Sequence, residues 1–309
     1  MQYRTLGKTD LQVSVLSYGA SPLGSVFRDV DESEGIRTVH TAVDLGINFI
    51  DVSPYYGLTK AEIVLGKALR TLPREKYYLA TKVGRYGEDK FDFSAERVTR
   101  SVEESLQRLQ VDYVDIIQCH DIEFDSLDKI VEEALPALRK LQEQGKARFI
   151  GITGLPLKIF RYVLERADAD TILSYCHYSL NDTALEELIP FLQSKHMGII
   201  SASPLSMGLL TQRGAPDWHP APAEVQAACA RAADYCKEKG ADISKLALQF
   251  AVAQPDIHTT LVGTASPQNI EKNVAWIDDP IDKTLLAEVR AILAPIHNQS
   301  WISGKPENN

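Results

Sequence analysis

Asp51, Tyr56, Lys82 and His120 have the residue types and the spacing for hydride-transfer chemistry. Moving a hydride between a carbinol carbon and a nicotinamide needs a group that takes or gives the hydroxyl proton. A phenol at its ordinary pKa of about 10 is a poor base near neutral pH. An ammonium beside it lowers that value, and a carboxylate beside the ammonium keeps the ammonium charged. A histidine at the same mouth orients the substrate oxygen or assists the proton relay. Alone, each residue reads as readily as a rim charge or a packed turn. Together they form one acid/base set.

Positioning them requires a regular scaffold. A short hairpin opens the chain, QYRTL and LQVSVL around the turn cluster Gly7-Lys8-Thr9-Asp10. Eight apolar strand-like runs follow: VSVLSYG, INFIDV, YYLATKV, YVDIIQC, RFIGIT, TILSYC, GIISASP and TTLVG. Amphipathic helical stretches, such as Ser94 to Arg108 and Leu127 to Gln144, lie between them. Short, doubly buried strands alternating with helices predict a parallel sheet. Eight units predict closure into an α/β (β/α)8 TIM barrel, a single domain over residues 1–309, with an N-terminal β-hairpin and extra C-terminal helices. A doubly wound sheet would want GxGxxG directly after a strand, and none occurs.

Barrel strands present their C-terminal ends to the active site. Those ends carry Asp51 after INFI, Lys82 after YYLAT and His120 after YVDIIQC, with Tyr56 in the next loop, VSPYYG. Strand alternation aims Lys82, Ala80 and Tyr78 inward together, and likewise His120, Gln118 and Ile116, which turns Cys119 out toward the helices. Thr211 to Pro222 reads as a long Pro/Gly loop of the kind that forms lids, followed by a helix from about Ala223 to Glu238. The final helix, Lys283 to Leu293, leads into a polar tail expected to be poorly ordered.

Composition excludes several classes. A net charge of −9 without a Lys/Arg run argues against nucleic acid. No apolar run reaches the length of a membrane span, and MQYRTLGKTDLQVSVLSYG lacks the layout of a secretory signal. Cys119, Cys176, Cys229 and Cys236 form no CxxC pair, which suits core thiols in a reducing cytoplasm. His177 and His219 lack metal-ligand grouping, so no metal is expected. The expected partner is a small molecule, and the expected state is a monomer or weak homo-oligomer.

GINFIDVSPYYG, LATKVG and YVDIIQCHD resemble the segments carrying the Asp, Tyr, Lys and His of the aldo-keto reductases. The resemblance runs from LGKTDLQVS to GTASPQNIEKN. Further segments, DFSAERV, FIGITGLPL, ILSYCHYSLND and ISASPLSMGLLT, resemble members that oxidise an L-sugar at C1 with NAD to the lactone. By position, the resemblance implies nicotinamide contacts from Ala20, Asp51, Thr153, Gly154 and Tyr175. The usual Ser-Asn pair is Thr153-Gly154 here, the usual Gln is Tyr175 and the stacking aromatic is Ala202, so one carboxamide contact is missing. Ser203 to Leu210 matches the pyrophosphate loop, with Ser203, Pro204, Leu205 and Gly208 as contacts. Gly263 to Asn273 matches the adenosine-phosphate segment, with Gly263, Thr264, Ser266, Asn269 and Asn273. Ser266-Pro267 independently reads as a helix N-cap and first turn, a ready anion site.

Asp121, Tyr86 and Trp218 are candidate sugar contacts beside Tyr56 and His120. NAD is expected over NADP, because Gly263, Ala265 and Asn269 are neutral where NADP-preferring members carry a base. Lys272 is the one cation placed to change that. Two alternatives stay open: another aldose 1-dehydrogenase, acting on L-fucose or a D-threo-aldose, and a cofactor-binding regulatory subunit of the same fold.

Overall fold

The computed structural model describes residues 1–26 and 29–309. Among these residues ten strands form two sheets. β1 (Tyr3–Thr5) and β2 (Gln12–Ser14) make the antiparallel hairpin. β3 (Leu16–Gly19), β4 (Phe49–Asp51), β5 (Tyr78–Val83), β6 (Val114–Cys119), β7 (Ala147–Gly154), β8 (Thr171–Tyr175), β9 (Gly198–Ala202) and β10 (Thr259–Gly263) follow. They pair in parallel in sequence order, and β10 returns to β3 to close an eight-stranded barrel. The helices are α1 (Glu32–Asp44), α2 (Lys60–Leu69), α3 (Ala95–Leu109), α4 (Leu127–Lys129), α5 (Leu135–Glu143) and α6 (Lys158–Leu164). Then come α7 (Leu185–Ser194), α8 (Ala223–Glu238), α9 (Ile243–Ala253), α10 (Pro267–Asp278) and α11 (Lys283–Leu293). The expected (β/α)8 barrel, hairpin and C-terminal helices are all present.

Local chemistry explains the elements. Asp31, Ser94, Asp242 and Asp282 each cap a helix by accepting a first-turn N–H. In α3, Val98, Val102, Leu106 and Leu109 recur at helical spacing and are buried. Strand residues alternate between two apolar layers. Phe49, Ala80, Ile116, Leu173, Ile200 and Leu261 fill the barrel, and Leu6, Leu11 and Val13 of the hairpin pack with them. The hairpin thus stoppers the lower end, its Lys8 N–H bonded to His196 O just before β9. α8 and α11 share a second core with Cys229 and Cys236.

Two expectations are corrected. The helix from Leu127 to Gln144 is interrupted by a π-turn at Ile130–Ala134, where Leu135 N–H reaches Ile130 O. Pro136 cannot donate to the carbonyl four residues back, so the ladder slips by one residue just before it. The tail is also structured: Pro306–Asn308 form a 3-10 turn and Asn308 is buried. Its polar groups are consumed by specific hydrogen bonds to the loop after β6. Composition alone does not reveal such partners.

Candidate active site

β4, β5 and β6 are neighbours in the barrel, so their ends converge. Asp51 closes β4, Lys82 lies in β5 and His120 follows β6, all directed to one mouth by strand alternation. Tyr56 is brought back by a compact turn in which Tyr56 N–H bonds Ser53 O and Ala61 N–H bonds Tyr56 O. The Lys82 ammonium donates to Asp51 Oδ1, to Val52 O at 3.0 Å and to Tyr56 Oη at 3.2 Å. Because Tyr56 Oη accepts from Lys82, the phenolic proton is left to point elsewhere. The structure thus brings Asp51, Tyr56, Lys82 and His120 together.

Lys82 is 1% exposed and Asp51 3% exposed. Burial works against the charge on Lys82, but Asp51 and then Tyr56 outweigh it and hold the ammonium above its ordinary value. Burial raises the Asp51 carboxyl, opposed by Lys82 and by the Gln118 amide. Gln118 Nε2 donates to Asp51 Oδ2 at 2.8 Å, so both oxygens of the buried carboxylate have donors. The phenol departs from expectation. Burial raises Tyr56, and the Lys82 ammonium reduces that rise without reversing it. Two charges nearby, Asp51 and Asp121, add to the rise.

His120 is boxed edge-on by Tyr56 and Tyr55, with ring centroids 5.6 and 6.0 Å away. Burial depresses its pKa to about 3, so the imidazole is neutral at physiological pH. Its tautomer follows from its neighbours. Ser53 Oγ accepts from Tyr55 N–H at 3.1 Å and lies 2.9 Å from His120 Nδ1, which it serves as donor. Nε2 lies 3.6 Å from the Asp121 carboxylate, beyond hydrogen-bond range, and that negative charge favours the proton on this nitrogen. His120 is a fixed neutral hydrogen-bond donor rather than a proton carrier.

Asp121 pairs with Arg85, whose guanidinium lies 3.9 Å from the Tyr55 ring centroid. Burial raises the Asp121 carboxyl, but the Arg85 guanidinium paired with it outweighs that and helps hold it below its ordinary value. Ser53, Tyr55, Arg85 and Gln118 are therefore part of the cluster that sequence reasoning did not single out. Only Gln118 left a trace, its inward strand parity. Tyr86 is not among these groups: its hydroxyl accepts from Gly84 N–H and its ring is covered by Arg97 of α3. Trp218, about half exposed, lies beside His219, whose Nε2 donates to Ser206 O and whose ring meets Trp301 edge-on. The single loop between β9 and α8 is so folded back on itself and held against the C-terminal segment.

The residues assigned to a dinucleotide also lie at strand ends. Ala20 N–H bonds Asp51 O beside the lysine. Thr153, Gly154 and Tyr175 end β7 and β8, but the Thr153 hydroxyl is already bonded to Asp121 and the Tyr175 hydroxyl points to Glu123. In the loop after β9, Leu205 precedes left-handed Ser206 and Met207, and Ser206 N–H closes the turn onto Ser203 O. Pro204 precedes Leu205, and left-handed Ser203 and Gly208 flank the turn. Ser266 caps α10 without a side-chain bond to its first-turn N–H groups, though Asn269 N–H bonds Ser266 O, so this start suits an anion chiefly through the helix dipole. Thr264 Oγ1 accepts from Asn269 Nδ2 there, Tyr18 Oη donates to Thr264 O, and Gly263 closes β10, with Asn273 further along α10. These features fit a dinucleotide: a left-handed turn after β9, a helix start without a side-chain cap and the buried Lys82–Asp51–Tyr56 cluster, all at the C-terminal end of the barrel. Among the described residues no group of His, Cys, Asp or Glu could hold a metal ion, and no helix is long and apolar enough to cross a membrane.

Comparison with known proteins agrees with this geometry. The chain is 55% identical over 317 aligned positions to L-galactose dehydrogenase of Arabidopsis thaliana, covering 100% of this chain and 99% of that one. It is 34% identical to D-arabinose 1-dehydrogenase of Saccharomyces cerevisiae, over 78% of this chain and 76% of the relative. Among solved structures, the holo form of an aldo-keto reductase from Bacillus halodurans superposes with a TM-score of 0.80 at 27% identity, covering 98% of each chain. The model of the aldo/keto reductase family matches residues 15–294, and with the barrel and its four-residue cluster in place, this chain belongs to that family of oxidoreductases.

Proposed function

We propose that this enzyme oxidises an L-sugar, foremost L-galactose, at C1 to L-galactono-1,4-lactone with NAD. The observation that carries the chemistry is Lys82, hydrogen-bonded at once to Asp51 and Tyr56 in a buried setting. The choice of sugar is supported by the full-length identity to the plant enzyme.

When bound, the oxidised nicotinamide supplies the hydride acceptor. The protein's own groups handle the proton. The C1 hydroxyl sits between His120 Nε2–H and Tyr56 Oη, and its proton passes to the Tyr56 oxygen as C1 gives up its hydride. Lys82 stabilises the phenolate that accepts this proton, and Asp51 with Gln118 keeps Lys82 charged. Asp121 accepts a sugar hydroxyl, held ionised by Arg85. Trp218 offers an apolar face. The test is a panel of aldoses with NAD and NADP, read as reduced-cofactor absorbance. L-Galactose turns over fastest, and no reduced cofactor with any aldose would leave a binding role for the fold.

L-Fucose differs from L-galactose only by the missing 6-hydroxyl. A site that hydrogen-bonds a hydroxyl rejects the deoxy analogue by as much as about 10⁴-fold, whereas apolar contact barely discriminates. In this reading Trp218 packs against C6, so L-fucose is accepted at a kcat/KM close to that of L-galactose. If D-glucose or simple aldehydes outperform both sugars, the substrate assignment fails and the family membership stands.

NAD is preferred over NADP. The 2′-phosphate of NADP needs a base beside the adenosine ribose, each charge-assisted bond contributing about 1.5–3 kcal/mol. Gly263, Ala265 and Asn269 are neutral. Lys272 is engaged elsewhere: its Nζ lies 3.3 Å from Asp242 Oδ2 and 4.3 Å from the Trp276 ring centroid. Lys272→Ala therefore leaves the NAD/NADP ratio of kcat/KM unchanged. A preference for NADP that disappears in this variant would overturn the reading.

A further inference from the structure

Glu123 is a buried carboxyl that the chemistry above does not use. It is 0% exposed and lies two residues past Asp121. Oε1 accepts from Leu155 N–H at 3.1 Å, from Ser303 Oγ at 2.9 Å and, more loosely, from Tyr175 Oη at 3.5 Å. One oxygen so joins the turn after β6 to the ends of β7 and β8 and to the C-terminal tail. Among the described residues Oε2 has no hydrogen-bond partner, and it lies against Gly154, where a Cβ would come within 2.6 Å of it. Any other residue at 154 would push the carboxyl out of its seat.

The main chain of the same residue holds the tail. Glu123 O accepts from Lys305 N–H and from Asn308 Nδ2, both at 2.9 Å. Asn308 Nδ2 also donates to Asp125 O at 3.0 Å, and Lys305 Nζ approaches Asp125 Oδ1 at 3.7 Å. Gly304 has a φ of +75°, and a Cβ there would lie 2.4 Å from Glu123 O. Only glycine lets the tail pass so close. The clamped turn is itself strained, since Asp121 adopts a left-handed φ of 51°, sparsely populated for residues other than glycine. Such a conformation persists where its surroundings over-determine it.

We propose that Glu123 is a positioning residue: it clamps the His120–Asp121 turn between the end of β7 and the C-terminal strap Ser303–Asn309. The strap is thus part of the active-site framework, although among the described residues its outward hydrogen bonds and ion pairs go to Glu123 and Asp125 rather than to the four-residue cluster. This rests on the reading above that His120 and Asp121 face the sugar. Burial and the adjacent Asp121 push the Glu123 carboxyl up to about 8, toward the neutral acid whose shape glutamine shares.

Three proteins test this: Glu123→Ala, Glu123→Gln and a chain ending at Ile302. Each is assayed for sugar oxidation, for NADH binding by fluorescence and for amide hydrogen exchange over residues 120–125. Misplacing a reacting group by an ångström costs up to about 100-fold in rate. The alanine variant and the shortened chain therefore lose at least about 10-fold in kcat with a much smaller loss of NADH affinity, and glutamine restores most of it. Exchange at residues 120–125 accelerates in the alanine variant and the shortened chain alone. A shortened chain with wild-type kcat and unchanged exchange overturns the proposal. So does an alanine variant that loses NADH affinity in step with kcat. If no aldose is oxidised even by the wild type, the substrate reading fails, and hydrogen exchange still decides the clamp.

Discussion

Tyr56→Phe lowers sugar oxidation by roughly 10²–10⁴-fold while NADH binding and the melting temperature stay close to those of the parent. The hydroxyl is the group of the cluster that both accepts from Lys82 and keeps a proton to exchange. The ring itself is retained, so its edge-on contact with His120 persists. The structure adds a pH signature. Burial holds the phenol above its ordinary value even with Lys82 beside it. The phenolate fraction thus rises with pH throughout the working range, and wild-type oxidation rises with it. His120 contributes no step near neutrality, because its imidazole titrates near 3. The Phe variant has a flat profile. Retention of most of the wild-type turnover, or an unchanged pH slope, would show that another group carries the proton.

Lys82→Met has the second large effect, and on two quantities. Removing the ammonium deprives the Tyr56 phenolate of its stabilising charge, so turnover falls with that of the tyrosine variant. It also strands the Asp51 carboxylate, buried with only the Gln118 amide as donor. Removing one partner of a buried ion pair costs about 3–5 kcal/mol. The pH dependence has a definite sign. Asp51 already sits above its ordinary value through burial, and loss of Lys82 raises it further. In the fold it then takes up its proton at a higher pH than in the unfolded chain. The stability deficit is therefore largest at alkaline pH and shrinks as pH falls through the folded-state value. Urea denaturation at pH 5 and pH 8 measures this. The double variant Asp51→Asn/Lys82→Met, which leaves no stranded charge, recovers much of the stability and none of the activity. A Lys82→Met protein as stable as the parent at alkaline pH contradicts the buried pair.

Much of this enzyme was legible in its residue order. Alternating apolar runs and amphipathic stretches are local signals with fixed periods, so the barrel and its hairpin could be counted off one by one. Asp51, Lys82 and His120 were legible because a closed parallel barrel directs every strand end to the same face. Ser266-Pro267 was legible because a helix start is a local event. What escaped depends on contacts between segments far apart in the chain. The net rise of the Tyr56 pKa is a balance between desolvation and the charge of Lys82, and burial is known only once the mouth is closed. The Nε2–H tautomer of His120 depends on Ser53, 67 positions away, and the Asp51 carboxylate is completed by Gln118 at the same separation. The order of the tail is the strongest case. Polar residues without periodicity read as disorder, yet Ser303 and Asn308 spend their hydrogen bonds on Glu123, 180 and 185 positions earlier. Periodicity is a property of neighbours along the chain. Desolvation and hydrogen-bond pairing belong to neighbours in space, and only the folded barrel decides who those are.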